Sequence, residues 1–299
     1  KDNIPFHAII WPAELIGVGE TFDRLFGAEV AEKFVLPYDV PANEFMNLEG
    51  EKISGSRNWV VNGRDFLSRY DPDPLRYYLT ENMPEARDTD WDWDDFYHRN
   101  NDELVANWGN LVNRVLSFAY KNWEGILPEP GVLEEQDKQL LATVEGGFET
   151  VAKEIDAVNL RAALAEIMRL ATEVNRYLDY AAPWKVIKAD KNAAARSVYT
   201  AIKAIDSLKV LFAPFIPFSS EQLHTFLGYS EPLFGDQRVE DISDSLGEHK
   251  VLIYDPGRAT GRWEPSDLKP GHKLFEPKPL FQKLDPCIVE EERARLGKT

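Results

Sequence analysis

Apolar positions recur at the helical period through the middle of the chain. Leu104, Trp108, Leu111, Val112, Val115 and Ala119 fall on one face of a 3.6-residue repeat. A second helix is predicted over 133–152. Leu160, Leu164, Ile167, Ala171, Val174 and Leu178 mark a third, ended by Pro183. The fourth runs from Ala193 to Phe212, with Val198, Ile202, Ile205 and Leu208 in line. Pro214 and Pro217 stop it, and Ser219 is placed to cap a short fifth helix reaching Leu227. Four or five antiparallel helices with modest loops make a bundle over residues 98–228.

The pattern changes on either side. Residues 1–60 mix short apolar runs with Gly and Pro. Phe6 to Trp11 is apolar, and Pro12 suits the first turn of a helix over about Ala13 to Gly17. Phe34-Val-Leu36 reads as a buried strand, and Asn43 to Leu48 as a strand feeding a loop. Short strands alternating with helices suggest the last part of a parallel α/β sheet. Residues 61–97 read as a connector: a short helix from Asp65 to Tyr70, then a turn at Asp71-Pro-Asp-Pro74 that starts another. Pro84 to Asp95 is strongly acidic and reads as solvated surface, with Trp91 and Trp93 packing inward against the helical domain. Residues 229–299 are weakly patterned. Asp236 to Glu248 reads as an acidic loop, and Phe275 to Phe281 as an extended segment docking back on the body. The fold class is α/β plus all-α.

With 299 residues, 43% hydrophobic and 28% charged, the chain has the composition of a soluble globular protein with room for two domains. No apolar run approaches the roughly 18 residues of a membrane span. A net charge of −17 argues against a non-specific nucleic-acid binder, which would show a basic footprint. It leaves room for a selective RNA partner held by a local patch, and Lys185, Lys188, Lys191, Arg196 and Lys203 form such a basic strip. The single cysteine, Cys287, gives neither a disulfide framework nor a cysteine zinc site, and fits a cytoplasmic setting. The start, Lys1-Asp-Asn-Ile-Pro5, has neither an initiator Met nor an apolar signal core, and is expected to be the middle of a longer protein.

The densest candidate chemistry lies in Asn47-Leu-Glu-Gly-Glu-Lys-Ile-Ser-Gly-Ser-Arg57. Gly50 allows a tight turn, and Gly55 lets backbone N–H groups point outward. Lys52 and Arg57 beside the hydroxyls of Ser54 and Ser56 make an anion grip suited to phosphate. The same composition also serves an ordinary polar loop. Elsewhere, Asn110 and Arg114 share a helix face flanked by Asn107 and Asn113, and Trp184 follows Ala182-Pro183 where a helix must end. An exposed indole beside amide and guanidinium groups can stack and read unpaired RNA bases.

Lys52-Ile-Ser-Gly-Ser56 resembles the Lys-Met-Ser-Lys-Ser loop of class I aminoacyl-tRNA synthetases. With Asn43-Glu-Phe-Met46, Arg57 and Tyr70-Asp-Pro-Asp-Pro-Leu-Arg-Tyr-Tyr78, the stretch looks like the methionyl-tRNA synthetase family. The resemblance implies that Lys52, Ser54, Ser56 and Arg57 act on ATP, taken with Mg2+ as its substrate complex. It places Asp2, His7 and Trp11 at the pocket for methionine and its adenylate, with no metal site in these residues. It makes Asn110, Arg114 and Trp184 the anticodon-reading set for tRNA(Met). Gly55 departs from the family pattern, standing where the second lysine is expected. The His-Ile-Gly-His-type segment of the family's first half is not among these residues, so the chain by itself is not expected to activate methionine. Another class I synthetase for an apolar amino acid, or a non-catalytic tRNA-binding module, remains an alternative at this stage.

Overall fold

The computed structural model describes residues 1–26, 35–244 and 247–297. Phe34 lies outside the described residues. Its neighbours Val35 and Leu36 are exposed and belong to no strand, because no partner strand lies beside them among the described residues. The first helix, α1 (Trp11–Phe26), is longer than its apolar start suggests and is preceded by a π-helical turn, Phe6–Ile10. Gly17 and Gly19 do not break it. Phe6, Ile9, Trp11, Ile16 and Leu25 remain exposed along this segment, leaving much of its apolar surface uncovered.

The chain then forms β1 (Met46–Leu48), α2 (Gly63–Leu67), α3 (Pro72–Glu81), β2 (Thr89–Trp91) and α4 (Trp93–His98). Strands β1 and β2 pair in parallel, with Met46 opposite Thr89 and Leu48 opposite Trp91. The acidic run keeps its carboxylates exposed or half-exposed, as expected of a solvated surface, but three of them also accept from backbone amides. Asp88 accepts from Phe45 N at 3.0 Å, Asp90 from Gly50 N at 2.9 Å, and Asp92 caps α4 by accepting from Asp95 N at 2.8 Å. Trp91 and Trp93 pack not against the helical bundle but in a separate aromatic core with Phe66, Tyr78 and Phe96. Trp91 closes β2 and Trp93 opens α4, so the two rings reach the same core from a strand end and a helix start on either side of the Asp92 cap.

From Trp93 the chain is helical without interruption through a π-helical stretch, Arg99–Gly109, into α5 (Asn110–Asn122). The bundle continues with α6 (Glu135–Asp156), α7 (Leu160–Ala181), the short α8 (Pro183–Val186), α9 (Lys191–Phe212) and α10 (Pro217–Phe226). The periodic positions do become its core: Leu104, Val112, Leu164, Ile167, Ile202 and Ile205 are each fully buried. Ser219, expected as the cap of the last helix, lies inside α10. The cap comes from another helix: the buried Asp73 carboxylate of α3 accepts from Ser219 N at 2.6 Å and Ser219 Oγ at 2.7 Å. Arg76, also on α3, donates to the carbonyls of Pro214 and Phe215 at 2.8 and 3.0 Å. The Tyr70–Tyr78 motif is thus a splice. Tyr77 points into the bundle core, while Tyr78 points into the aromatic core.

The acidic segment after the bundle is a hairpin rather than a loop, β3 (Asp236–Asp244) antiparallel to β4 (Gly247–Asp255). The tail then crosses the bundle, burying Leu268, Leu274, Leu280 and Phe281, and ends in α11 (Cys287–Arg293) against the aromatic core. Among the described residues no helix is long and apolar enough to cross a membrane.

Candidate functional site

The glycine-bearing loop springs from the end of β1. Glu49 and Gly50 both take positive φ, +49° and +76°, and turn the chain back on itself. Glycine meets that geometry without a Cβ penalty; at Glu49 it is held by contacts. The loop is closed at its base by reciprocal bonds between Ser54 and Trp59, at 2.8 and 2.9 Å. The Trp59 indole donates to Leu48 O at 2.8 Å, and Gly55–Arg57 forms a single 3-10 turn. The tip is exposed. The hydroxyls of Ser54 and Ser56 lie 3.2 Å apart, and Lys52 makes no ion pair among the described residues. Arg57 is engaged, donating to Glu51 Oε2 at 2.9 Å and to Lys52 O at 3.0 Å. An exposed pair of this kind is weak and gives way readily to a polyphosphate. Gly55 has open space around it, so the position that would hold a second lysine is unobstructed.

Asp2, His7 and Trp11 are all exposed on the N-terminal segment. Among the described residues no hydrogen bond or ion pair joins them to the loop. His7 and Trp11 lie one turn apart in sequence.

At the bundle, Asn110 and Arg114 project from α5 beside a recess of about 390 Å³ that Asn113 and Asn175 also line. Trp184 is half-buried rather than freely exposed at the tip. Its ring rests on the bundle core, and the Arg114 guanidinium sits 4.6 Å from its centroid. Ala182, with φ +39°, reverses the chain between α7 and α8 and delivers Trp184 to this position. The guanidinium is oriented from behind by a relay of donors. Arg114 Nη2 donates to Asn175 Oδ1 at 3.1 Å, Asn175 Nδ2 to Asn107 Oδ1 at 2.8 Å, and Asn107 Nδ2 to Thr172 Oγ1 at 3.2 Å. Thr172 passes the last donor to Met168 O at 3.0 Å. Asn175 and Thr172 escape sequence reasoning because they reach Arg114 from another helix; their one signal is a polar pair three residues apart on α7.

The basic strip is shorter than expected. Lys185, Lys188 and Lys191 are exposed, but Arg196 is committed to Glu134 at 2.6 Å and Asp137 at 3.1 Å, and Lys203 is half-buried. Among the described residues no group of three or more His, Cys, Asp or Glu side chains is arranged to hold a metal ion.

Residues 1–116 match the family model described as tRNA synthetases class I (M), and residues 127–252 that described as the anticodon binding domain of methionyl tRNA ligase. The methionine–tRNA ligase of Thermomicrobium roseum is 52% identical over 298 residues, covering 99% of this chain and 49% of the relative. That of Chloroflexus aggregans is 51% identical over 302 residues, covering 99% of this chain and 50% of the relative. Mycobacterium tuberculosis methionyl-tRNA synthetase in complex with methionyl-adenylate shares the fold, with a TM-score of 0.72 at 25% identity over 94% of this chain and 48% of that one. The chain spans about half the length of the curated relatives it matches. Two family models in succession, on a chain that carries both a glycine-hinged cationic loop and an Asn–Arg–Trp helix face, lead to one assignment: these residues belong to the methionyl-tRNA synthetase family.

Proposed function

We propose that the protein containing this chain is a methionine–tRNA ligase. Methionine and ATP give methionyl-adenylate and pyrophosphate, and the methionyl group then passes to the terminal ribose of tRNA(Met). Residues 1–60 supply the end of the catalytic α/β domain, residues 61–97 the connector, residues 98–228 the anticodon-binding bundle, and residues 229–299 the tail. The observation that carries the reading is the exposed ammonium of Lys52 at the tip of a loop whose base is fixed and whose turn is made by Gly50. In adenylyl transfer, charge grows on the phosphate oxygens, and a cation placed there stabilises the transition state. ATP arrives with Mg2+ on its phosphates. Lys52 meets the triphosphate, Ser54 and Ser56 add hydrogen bonds, and Arg57 exchanges Glu51 for phosphate. Asp2, His7 and Trp11 complete the methionine pocket against the other half of the protein, which also covers the apolar surface of α1.

At the bundle, Asn110 and Arg114 hydrogen-bond anticodon base edges while Trp184 stacks on a base. The setting is the cytoplasm. Neither a synthetase for another apolar amino acid nor a non-catalytic module is favoured, since the relatives at about half identity are named methionine–tRNA ligases. The test is ATP–pyrophosphate exchange and tRNA(Met) charging by the full-length protein. Exchange that depends on methionine, and not on leucine, valine or isoleucine, is expected; exchange driven by another amino acid, or none, defeats the reading. Residues 1–299 alone are expected to give no exchange.

A further inference from the structure

The root of the loop is tied to two helices, α4 and α11, through one carboxylate. Glu49 leaves β1 at φ +49°, and its side chain is only 15% exposed. Its Oε1 accepts from Trp93 N, the first amide of α4, at 2.9 Å. Its Oε2 accepts from Arg293 Nε on α11, also at 2.9 Å. Arg293 is held in turn by Asp94 at 2.8 Å. The other root of the loop is held by the same C-terminal segment, where Gly297 N donates to Asn58 O at 3.0 Å. Between these roots, the hydrogen bonds and ion pairs of Glu51 to Arg57 stay within residues 48–59 among the described residues. The helix that begins at Trp93 runs unbroken to Asn110, roughly 25 Å away at about 1.5 Å per residue, and on to Arg114.

We propose that Glu49 is a positioning residue for amino-acid activation. It fixes the phosphate-gripping loop in register with the helix that carries the RNA-reading side chains, and α11 serves as the clamp. The proposal rests on the functional reading above. A loop whose roots shift by an ångström delivers Lys52 out of line with the triphosphate, and misplacement of that size costs turnover rather than binding. The ion pair and the helix-amide bond share one carboxylate, so loosening either partner frees the same root.

The test uses the full-length protein with Glu49→Gln, Arg293→Met, Arg293→Lys and the Glu49→Gln/Arg293→Met double variant. In methionine-dependent exchange, kcat is expected to fall about tenfold in the first two, with KM for ATP and methionine held within about twofold. The double variant should be no worse than either single variant, and Arg293→Lys should recover part of the loss. Trypsin cleavage after Lys52 and Arg57 should quicken about tenfold, because opening of the loop governs access. Wild-type kcat in Glu49→Gln, a rise in KM alone, additive single effects or an unchanged cleavage rate would each overturn the proposal. If Glu49→Gln fails to fold, Arg293→Met, on a side chain 31% exposed, carries the same criteria. If the wild type shows no methionine-dependent exchange, the functional reading fails, while the trypsin comparison still decides whether Glu49 holds the loop.

Discussion

Acidifying the solvent tests the buried network between α9 and α10. His224 is 3% exposed. Its Nδ1 accepts from the Lys209 ammonium at 2.9 Å, and its Nε2–H donates to Glu231 O at 3.0 Å and Thr260 Oγ1 at 3.1 Å. Lys209 is paired with Asp206, which also accepts from Tyr229 OH at 2.8 Å. Every position around the ring therefore calls for neutral imidazole with its proton on Nε2. Burial first, and the Lys209 ammonium second, push His224 down to about 4 from 6.5. Above pH 6.5 both folded and unfolded chains hold the ring neutral, and the stability is fully present. Below it the unfolded chain takes up a proton that the folded chain refuses, so stability is lost until pH 4. At about 1.4 kcal/mol per pH unit the full loss is about 3 kcal/mol, of which about 2 kcal/mol falls between pH 6.5 and 5. Most carboxylates titrate below that window. The assay is urea unfolding of the chain at pH 7, 6 and 5, alongside His224→Gln, whose amide can accept from Lys209 and donate to Glu231 without titrating. The gap between the two proteins should shift by about 2 kcal/mol in favour of the variant as the pH drops to 5. A gap that does not move with pH refutes the neutral-ring account.

Lys52→Ala in the full-length protein should slow methionine-dependent exchange by about 10²–10³, the size of losing one donor to a transition-state anion; an unchanged rate counts against the phosphate role. Trp184→Ala should weaken tRNA charging in line with a stacking loss of about 1–3 kcal/mol while leaving exchange intact, and equal losses in both assays contradict the division of labour. Asp73→Ala should lower unfolding free energy by about 2–4 kcal/mol, because the α10 amides lose a buried acceptor. Burial raises the Asp73 pKa, so the uncharged Asp73→Asn should come within about 1 kcal/mol of wild type, and equal damage from both variants rejects the capping role. Affinity for tRNA should fall as salt rises if Lys185, Lys188 and Lys191 meet phosphates; a salt-insensitive affinity removes them from the interface.

The helices of the bundle were legible because each must bury one face: Val112, Ile167 and Ile205 sit at the period a buried stripe demands and are fully covered. The hairpin of β3 and β4 was not legible, since Val239 and Leu252 stay 62% and 68% exposed and no buried face imposes alternation. Strand β2 was masked by its aspartates, whose role as acceptors for Phe45 N and Gly50 N depends on residues some forty positions away. Residue types alone nominate Lys52 and Arg57 for an anion grip but equally allow an ordinary polar loop, and the resemblance of the surrounding motif is what favours the first. That Glu51 occupies Arg57, and that Asn175 aims Arg114, are facts of juxtaposition that no local pattern encodes.

The charge balance illustrates the same point and bears on how an acidic chain can receive RNA. A net charge of −17 counts every carboxylate alike. Several of these carboxylates are consumed inside the fold: Asp73 caps α10, Glu292 takes Arg69 and Tyr70, Asp137 takes Arg196, and Glu49 takes Arg293. Those that face a guanidinium are largely cancelled by it, and each such pair takes a cation with it, so the sum of −17 is carried by the unpaired carboxylates. The exposed ammonium groups of Lys185, Lys188 and Lys191 stand just beyond Trp184, where the chain leaves α7. Potential at a surface is set by the charges nearest it, and screening removes contributions from beyond about 8–10 Å at physiological salt. On the proposed reading, a polynucleotide at the Asn110–Arg114–Trp184 face would be drawn by these ammonium groups, and screening would confine their pull to that neighbourhood. The remaining negative charge would then discourage it from settling elsewhere, so a chain acidic in sum would favour one docking site over many.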